Sequence, residues 1–511
     1  MSAQENNNGV GLDRRGFLKG FASAAVAATL VGPREVLADD ESSAPGRLGR
    51  ELLPPPTITK PAGTEKYWRQ VRKAFSLSSD YIHMNTGTTG SQPEFVQNNL
   101  AVYNRYKSED PRDWAANLAA DFPTLFPVTP SAMGARQLQV ANAYGANPDE
   151  IVLSYNTTDA CNLIFAGTPW QPGDRIVTTS FEHPGLAGPI AWARDYHQVE
   201  VVVVDMPSSF PATLTPAQVV EWFRPALAAN LGAGNKQYLA VSEVFYKNGL
   251  RLPIAELCTL ARSYGAFTII DAAHGWGMLP VDCHAYGADF IAGAGHKWLC
   301  GGPGTGIFYC RTSDAAAHPL PPLAPGSFSS YGNPFVIPSV LFNSRAFRPS
   351  SSIQSRGEYN TPAVYAMTDS LAFFSQIGLN AIYNRGVALG NYLKGLIAAQ
   401  WGPGALWVQQ NPNSAFATAV TSFNPFAAKD DAASHGVMNA AISTILTNLA
   451  AEIPKIYIRS TTWRTSHLLT ADNRVGFRIS THGVYNNYDE IDYVFARLVD
   501  QVNLSGLAQH D

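Results

Sequence analysis

Seven short apolar segments between residues 150 and 310 restrict this chain to few folds. They are EIVLSY (150–155), DRIVTTSF (174–181), VEVVVVDM (199–206), QYLAVSEV (237–244), AFTIIDAA (266–273), DFIAGA (289–294) and GTGIFYC (304–310). Most are rich in β-branched residues and apolar along their whole length, and helical stretches such as IAELCTLARSYG lie between some of them. Strands of this kind are buried on both faces, so the pattern predicts an α/β fold with a largely parallel central sheet.

The remaining chain divides by composition into segments of different character. Residues 39–65 contain PPPTITKPAG and are expected to form a Pro-rich arm with little structure of its own. Residues 66–365 form the predicted large α/β domain. After about residue 365 the pattern changes to helices and then a few strands with a final helix, which predicts a smaller α+β domain over 366–511.

Polar residues follow several of the predicted strands at the point where each strand ends. Taken singly, each is ordinary, because a Thr at a helix start is usually a cap and an Asp after a strand is usually a turn residue. The carboxyl ends of parallel strands meet at one edge of the sheet, which is where such sheets bind ligands. Convergence there makes these residues a candidate site: Thr157, Thr158, Glu182, His183, Asp271, His274, His296 and Lys297.

The chemistry of these groups indicates one cofactor. Lys297 lies between glycines after a buried strand, and a desolvated lysine becomes a nucleophilic amine that condenses with aldehydes. Asp271 suits pairing with a protonated pyridine nitrogen. Thr157 and Thr158 open a helix, whose N-terminus suits a phosphate dianion. An aldehyde, a pyridine and a phosphate together describe pyridoxal 5′-phosphate (PLP).

From about Tyr81 to its end, the chain resembles class V aminotransferases of PLP-dependent fold type I. Three stretches carry the resemblance: YIHMNTGTTG (81–90), DAAHGWGMLPVD with GADFIAGAGHKWLCGGPGTGIFY (271–309), and GFRISTHGVYNNYDEID (476–492). The branch resembled most is that of isopenicillin N epimerase. The resemblance implies a fold-type I architecture, PLP as cofactor and a homodimer.

The same resemblance implies a role for each candidate residue. Lys297 would carry the cofactor and move protons, Asp271 would hold the pyridinium nitrogen, and His183 would stack on the ring. His274 would contact the phenolic oxygen of the cofactor. Arg478 matches the arginine that grips the α-carboxylate of the substrate. The residues expected to hold the phosphate are Thr157, Thr158 and His296.

Two acidic residues depart from the family pattern. SRGEYNTPAV (355–364) resembles a loop that one subunit lends to the phosphate site of its neighbour, and Glu358 stands where that loop usually carries Thr. Glu243 stands where relatives often have Asn or His near the cofactor. Both place a carboxylate where the family has a neutral or basic group.

The first 38 residues resemble an export signal. Arg14 and Arg15 are followed by Phe17-Leu18-Lys19 and then by a weakly apolar run that ends near Ala38. The pattern is typical of a twin-arginine signal peptide, which the export machinery recognises. The sequence therefore predicts a mature protein in the periplasm, without a stable membrane span once the signal is removed.

Charge and cysteine content argue against a nucleic-acid-binding protein and against a cysteine metal site. A net charge of −4 and a pI near 6.3 argue against nucleic-acid binding, which favours a basic surface. The five cysteines have neither a CxxC motif nor metal-ligand spacing, so we expect buried core residues and no metal site.

The candidate residues are compatible with several reactions, whose substrate would be an amino acid or a peptide-like metabolite. Transamination is the preferred expectation, because it needs only one lysine as proton carrier. Epimerisation, a C–S lyase or desulfurase-like activity, and an inactive binding relative are the alternatives. Sulfur transfer by a thiol is disfavoured, because no cysteine occurs after Cys310, whereas a desulfurase needs one on a mobile loop further along the chain.

Overall fold

A computed structural model of the chain describes residues 51–122, 132–312, 353–354, 357–411, 414–464 and 473–510. Three predicted features lie wholly or partly outside the described residues. They are the signal peptide, the first part of the Pro-rich arm, and positions 355–356 of the segment SRGEYNTPAV. Residues 51–64 contain no helix or strand, and the first helix among the described residues, α1, is Glu65–Arg72.

The central sheet has seven strands, which coincide with the seven predicted segments. They are β2 (Ile151–Ser154), β3 (Arg175–Thr179), β4 (Glu200–Val204), β5 (Gln237–Ser242), β6 (Phe267–Asp271), β7 (Phe290–Ala294) and β8 (Gly306–Cys310). Their order in the sheet is β2-β8-β7-β6-β5-β3-β4. Only β8 runs antiparallel to its neighbours β2 and β7, and the other neighbouring pairs are parallel. The predicted fold class, α/β with a mostly parallel sheet, is confirmed.

Helices cover the sheet because its strands are apolar on both faces. All residues of β2, β3, β5, β6, β7 and β8 are buried. The helices in this part of the chain are α2 (Glu94–Glu109), α3 (Trp114–Asp121), α4 (Ala132–Ala143), α5 (Thr157–Gly167), α6 (Pro184–His197), α7 (Pro216–Ala228), α8 (Ile254–Ser263) and α9 (Cys283–Tyr286). Burial on both faces stabilises the sheet by roughly 25 cal/mol per Å² of apolar area removed from water.

The later part of the chain adds helices around two small sheets. The helices are α10 (Thr361–Ile377), α11 (Leu379–Trp401), α12 (His435–Ala451) and α13 (Tyr488–Leu504). Strands β11 (Arg459–Arg464), β12 (Asn473–Ser480) and β9 (Val420–Phe423) form an antiparallel sheet in the order β11-β12-β9. Strand β1 (Tyr81–His83) pairs in parallel with β10 (Lys455–Tyr457). Helix α10 runs through the predicted boundary at residue 365, and that division stays a prediction.

Candidate active site

One cavity of about 560 Å³ opens at the carboxyl edge of the central sheet. Strands β2, β3, β6 and β7 direct the chain to this edge, and β12 approaches it from the small sheet. Eight of the nine residues predicted for the site line the cavity, and Glu182 is the exception: Thr157, Thr158, His183, Asp271, His274, His296, Lys297 and Arg478. The structure therefore brings these eight residues together at one cavity, while the role of each residue stays a prediction.

Lys297 follows β7, and two glycines before it, Gly293 and Gly295, lie against side chains that leave little room for a Cβ atom. A Cβ atom on Gly293 would lie 1.8 Å from Nε1 of Trp276, and one on Gly295 would lie 2.4 Å from Sδ of Met367. The chain can therefore pass close to its neighbours and present the lysine inside the cavity. Desolvation lowers the pKa of Lys297 to about 8, although the negative charge of Asp271 acts in the opposite direction. Near neutral pH a useful fraction of the amine is unprotonated.

Asp271 is the last residue of β6 and is buried beneath the cavity. Its Oδ1 accepts a hydrogen bond of 2.8 Å from the amide N–H of Ala273, which fixes the carboxylate at the strand end. Burial raises the pKa of Asp271, while the Ala273 N–H and the positive charge of Lys297 lower it. A cationic ring nitrogen placed against this carboxylate would favour its ionised form in the same way.

Thr157 and Thr158 are the first two residues of α5, and Asn156 rather than a threonine caps the helix. Asn156 Oδ1 accepts a hydrogen bond of 2.8 Å from the amide N–H of Asp159. The threonine side chains are thus not needed as caps. Thr157 Oγ1 and Nδ1 of His296 are both buried without a hydrogen-bond partner in the structure. The helix N-terminus and these two groups fit a phosphate dianion.

His183 caps the N-terminus of α6 through its ring. Nδ1 accepts a hydrogen bond of 3.0 Å from the amide N–H of Gly185, so in the neutral ring the proton is on Nε2. Desolvation lowers the pKa of His183 to about 4, and the positive charge of Lys297 adds to this shift. The ring is therefore uncharged at neutral pH, which suits face-to-face packing on a cationic heterocycle.

Glu182, next to His183, is buried in a hydrogen-bond network and does not line the cavity. It accepts hydrogen bonds from Oγ1 of Thr179 at 2.5 Å and from the amide and hydroxyl of Ser242 at 2.9 and 2.5 Å. Burial raises the pKa of Glu182 to about 7. Its position indicates that it holds the loop before His183 in place.

His274 presents a defined tautomer to the cavity. Nδ1 accepts a hydrogen bond of 3.0 Å from the indole N–H of Trp298, so the proton of the neutral ring is on Nε2. Burial keeps the pKa of His274 well below its ordinary value. Nε2 itself is buried without a hydrogen-bond partner in the structure. It is thus a donor available to an oxygen atom in the cavity.

Arg478, in β12, is almost fully buried in the wall of the cavity. Its Nη1 donates to the backbone carbonyl of Tyr246 at 2.7 Å, and its Nη2 donates to Oδ1 of Asn85 at 2.9 Å and to Oγ1 of Thr88 at 3.1 Å. Its Nε is buried without a partner in the structure. The guanidinium is held rigidly while some of its N–H groups remain for a ligand, which fits a carboxylate.

These orphaned atoms test the site against the predicted cofactor. Buried polar atoms normally have partners, yet four that belong to residues lining this one cavity have none: Thr157 Oγ1, His274 Nε2, His296 Nδ1 and Arg478 Nε. An amine, a buried carboxylate and a helix N-terminus complete the set. The residues fit an aldehyde-bearing pyridine phosphate together with an anionic substrate.

The sequence profile of the family "Aminotransferase class-V" matches residues 84–492, a range that contains every residue of the predicted site. The chain belongs to the class-V aminotransferase family. As a class-V protein it uses pyridoxal 5′-phosphate, which confirms the predicted cofactor, and Lys297, Asp271 and the threonines at the start of α5 would hold it.

Two relatives and one solved structure illustrate the range of this class-V family. Isopenicillin N epimerase of Streptomyces clavuligerus is 27% identical over 248 residues, 47% of this chain and 56% of that protein. Hercynylcysteine sulfoxide lyase of Schizosaccharomyces pombe is 24% identical over 239 residues, 46% of this chain and 55% of that protein. The matches thus span about half the length of these relatives.

The fold comparison agrees with the sheet described above. The apo structure of cysteine desulfurase from Thermococcus onnurineus NA1 superposes with a TM-score of 0.62 at 20% identity, and the match covers 88% of this chain and 100% of that one. The similarity supports the fold-type I architecture of this class-V chain.

Sequence reasoning missed several residues of this class-V site. Tyr155, Asn156, Asp159, Tyr246 and Arg459 also line the cavity. Asn156 and Asp159 flank the predicted threonines, and the preference of Asn for helix caps was a usable signal. Arg459 belongs to β11, and no local pattern connects it with the cavity.

The two departures from the family pattern lie away from the cavity lining. Glu358 is exposed and forms an ion pair with Lys107, whose Nζ also donates to Oγ1 of Thr361 at 3.1 Å. Glu243 is buried, accepts a hydrogen bond from the hydroxyl of Tyr286 and lies 3.7 Å from Nη2 of Arg251. Neither carboxylate lines this cavity.

All five cysteines of the sequence are buried, and none lines the cavity. Burial raises the pKa of Cys300, the one nearest Lys297 in sequence. Within the ranges that the structure describes, no helix is both long and apolar enough to cross a membrane. The same ranges contain no cluster of three or more metal-ligating side chains.

Proposed function

We propose that this class-V protein is an aminotransferase that acts on the amino group and α-carbon of an amino acid or a peptide-like metabolite. The observation that carries the proposal is that Lys297 and Arg478 line one cavity, with Asp271 buried at the same site. An amine of lowered pKa and a rigid guanidinium suit a substrate with an α-amino group and an α-carboxylate. When bound, PLP supplies an aldehyde for the amino group and a ring that stores the electron pair released at Cα.

The acid–base chemistry of the lining favours transamination over epimerisation. Lys297 would take the α-proton and return it to a carbon other than Cα. With the cofactor accepting the amino group and water supplying the carbonyl oxygen, the amino acid would leave as an oxo acid. Inversion at Cα needs a second acid on the opposite face. His183 has a pKa of about 4, so its ring is uncharged at neutral pH and is not an imidazolium acid. Burial raises the pKa of Tyr246, which makes its hydroxyl a weaker acid. Neither group is tuned for this task.

Epimerisation and C–S cleavage remain the second candidates, because relatives with these names match the chain. A thiol-based desulfurase is a weaker candidate, since every cysteine is buried outside the cavity. β-Elimination from a sulfur-bearing amino acid needs no thiol, so it is compatible with the same lysine. The choice rests on the fate of the α-proton and of the side chain.

One set of assays distinguishes these reactions. The holoenzyme is incubated with a panel of amino acids, and the products are analysed for 2-oxo acids, for the opposite enantiomer, and for sulfide or persulfide. Formation of oxo acid with an amino acceptor supports transamination. Enantiomer alone would replace it by epimerisation, and release of sulfur together with ammonia would replace it by lyase chemistry. Lys297→Ala should remove every one of these products.

We also propose that the protein works outside the cytoplasm as a homodimer. Arg14, Arg15 and the apolar run after them support export through the twin-arginine pathway to the periplasm. The family resemblance of the loop containing Glu358 supports a dimer. Analytical ultracentrifugation of the holoenzyme at micromolar concentration tests the second point, and a monomer would contradict it.

A further inference from the structure

Arg459 stands directly opposite Arg478 in the antiparallel pair of β11 and β12. Both arginines line the active-site cavity, but they differ in depth, because Arg478 is 1% exposed whereas Arg459 is exposed at the open side. The strand register thus places one cation inside the site and a second cation at its entrance.

The two guanidinium groups converge on a single hydroxyl. Thr88 Oγ1 accepts hydrogen bonds from Nη2 of Arg478 at 3.1 Å and from Nη1 of Arg459 at 3.3 Å. Arg459 is further held by a hydrogen bond of 3.1 Å from its Nε to the carbonyl of Ser460. Thr88 therefore occupies the position between the guanidinium groups where one shared carboxylate would otherwise lie.

The described part of the chain places no carboxylate beside these two charges. Among the residues that the structure describes, neither Arg459 nor Arg478 has an acidic side chain within salt-bridge distance. Like charges placed directly opposite each other across two strands are destabilising. Desolvation and the neighbouring Arg459 charge both lower the pKa of Arg478, to about 9. Such an arrangement is stabilised when anionic groups bind.

We propose that Arg459 binds a second carboxylate of the substrate, on its side chain, and so makes the enzyme selective for acidic amino acids or for acidic amino-acid units of larger metabolites. The inference rests on the proposed function, because it takes Arg478 as the anchor of the α-carboxylate. Arg459 lies on the outer side of that anchor, and Thr88 separates the two. A substrate with two carboxylates would meet one guanidinium at each end.

The test measures binding rather than turnover. Glutarate and its mono-amide have the same length and differ in one negative charge, and neither has an amino group that can react. Their affinities for the holoenzyme are measured by isothermal titration calorimetry with the unaltered enzyme, Arg459→Gln, Arg459→Lys and Arg464→Gln. Arg464 is the matched control, since it is a cation at the other end of β11 that does not line the cavity.

We expect the unaltered enzyme and Arg464→Gln to bind glutarate about tenfold more tightly than the mono-amide, the effect of one charge-assisted contact. Arg459→Gln should bind both ligands equally, and Arg459→Lys should recover part of the preference. Equal affinity for both ligands in the unaltered enzyme, or an equal loss for both ligands in Arg459→Gln, would overturn the proposal. A missing oxo acid in the turnover assays would instead count against transamination and leave these affinities as they are.

Discussion

The indole N–H of Trp298 donates a hydrogen bond of 3.0 Å to Nδ1 of His274, although the two residues are separated by 24 positions. The bond connects the turn that carries Lys297 with the loop that follows Asp271. It also decides which nitrogen of His274 faces the cavity with a proton. Trp298, which does not line the cavity, thereby determines the hydrogen-bonding character of His274, which does.

Replacing Trp298 by Phe should therefore lower turnover while the cofactor still binds. The ring of His274 loses its fixed tautomer, so its donor to the cofactor oxygen is weakened, and we expect turnover to fall about tenfold. The absorption band of the bound cofactor should shift as well. Trp192→Phe, at a partly exposed position outside the cavity, is the control. Unchanged turnover and spectrum in Trp298→Phe would show that the tautomer is immaterial.

Gly90 allows the loop that follows β1 to lie directly on the turn that carries Lys297. Its amide N–H donates to the carbonyl of His296 at 2.8 Å, and a Cβ atom there would lie 2.1 Å from the carbonyl oxygen of Lys297. Gly90→Ala must therefore displace the loop or the lysine, and we expect turnover to fall about 100-fold.

The matched control for Gly90→Ala is Gly188→Ala in helix α6, where a Cβ atom would meet nothing within 4 Å. That change should preserve turnover and raise the free energy of unfolding by up to about 1 kcal/mol, because Ala is the better helix former. Turnover and cofactor absorbance are measured for both variants. Full activity in Gly90→Ala would contradict the close packing described above.

Much of this site could be predicted because strands and chemistry coincide in the sequence. Each strand of the central sheet is a nearly continuous apolar run, and the polar residue at or just past its end, such as Asp271 in β6, falls at the sheet edge. Each strand end can be recognised from a few neighbouring residues in the sequence. Parallel strands then bring these ends together at one edge of the sheet.

Arg459 could not be predicted in this way. Strand β11 alternates between exposed and buried residues, and its register against β12 decides that Arg459 faces Arg478. Shifting that register by one residue would turn Arg459 to the other face of the sheet. A pairing between strands depends on tertiary packing, and a single sequence does not display it.

His183 should make the stability of the protein depend on pH. Its pKa is 6.5 in an ordinary environment and about 4 in the folded protein. Between these values the unfolded chain binds a proton that the folded protein does not, so the free energy of unfolding falls as the pH drops from 6.5 towards 4. After a discount for partial exposure, this residue should account for about 2 kcal/mol of the loss.

His183→Phe retains an aromatic ring and removes the titration. Urea unfolding of the apo protein at pH 7 and pH 4.5 should therefore show a smaller decrease for His183→Phe than for the unaltered protein. Other buried histidines, such as His482, keep their own contribution in both proteins. Parallel pH curves for the two proteins would contradict a lowered pKa at His183.

Export should depend on the arginine pair at positions 14 and 15. A protein that receives its cofactor in the cytoplasm has to cross the membrane folded, which the twin-arginine pathway permits. Replacing both arginines by lysine keeps the charge and removes the recognised pair, so the protein should accumulate in the cytoplasm. Cell fractionation with an antibody measures this, and undiminished periplasmic protein would refute the export proposal.

Lys297 should be the lysine that carries the cofactor, and the chain offers an internal control for this assignment. Burial lowers the pKa of Lys394 to about 8, as it does for Lys297, but Lys394 lies in α11 and does not line the cavity. If low pKa alone decided reactivity, both lysines would be modified. If position within the site decides it, only Lys297 will be.

Borohydride reduction of the holoenzyme followed by peptide mapping distinguishes these outcomes. We expect the added mass of the reduced cofactor on the peptide containing Lys297 and on no other. Lys297→Ala should lose the mass, the visible absorption band and turnover together, while Lys394→Met should keep all three. Label on Lys394, or turnover that survives in Lys297→Ala, would mean that the cofactor is attached elsewhere. The lowered pKa of Lys297 would then reflect burial and not catalysis.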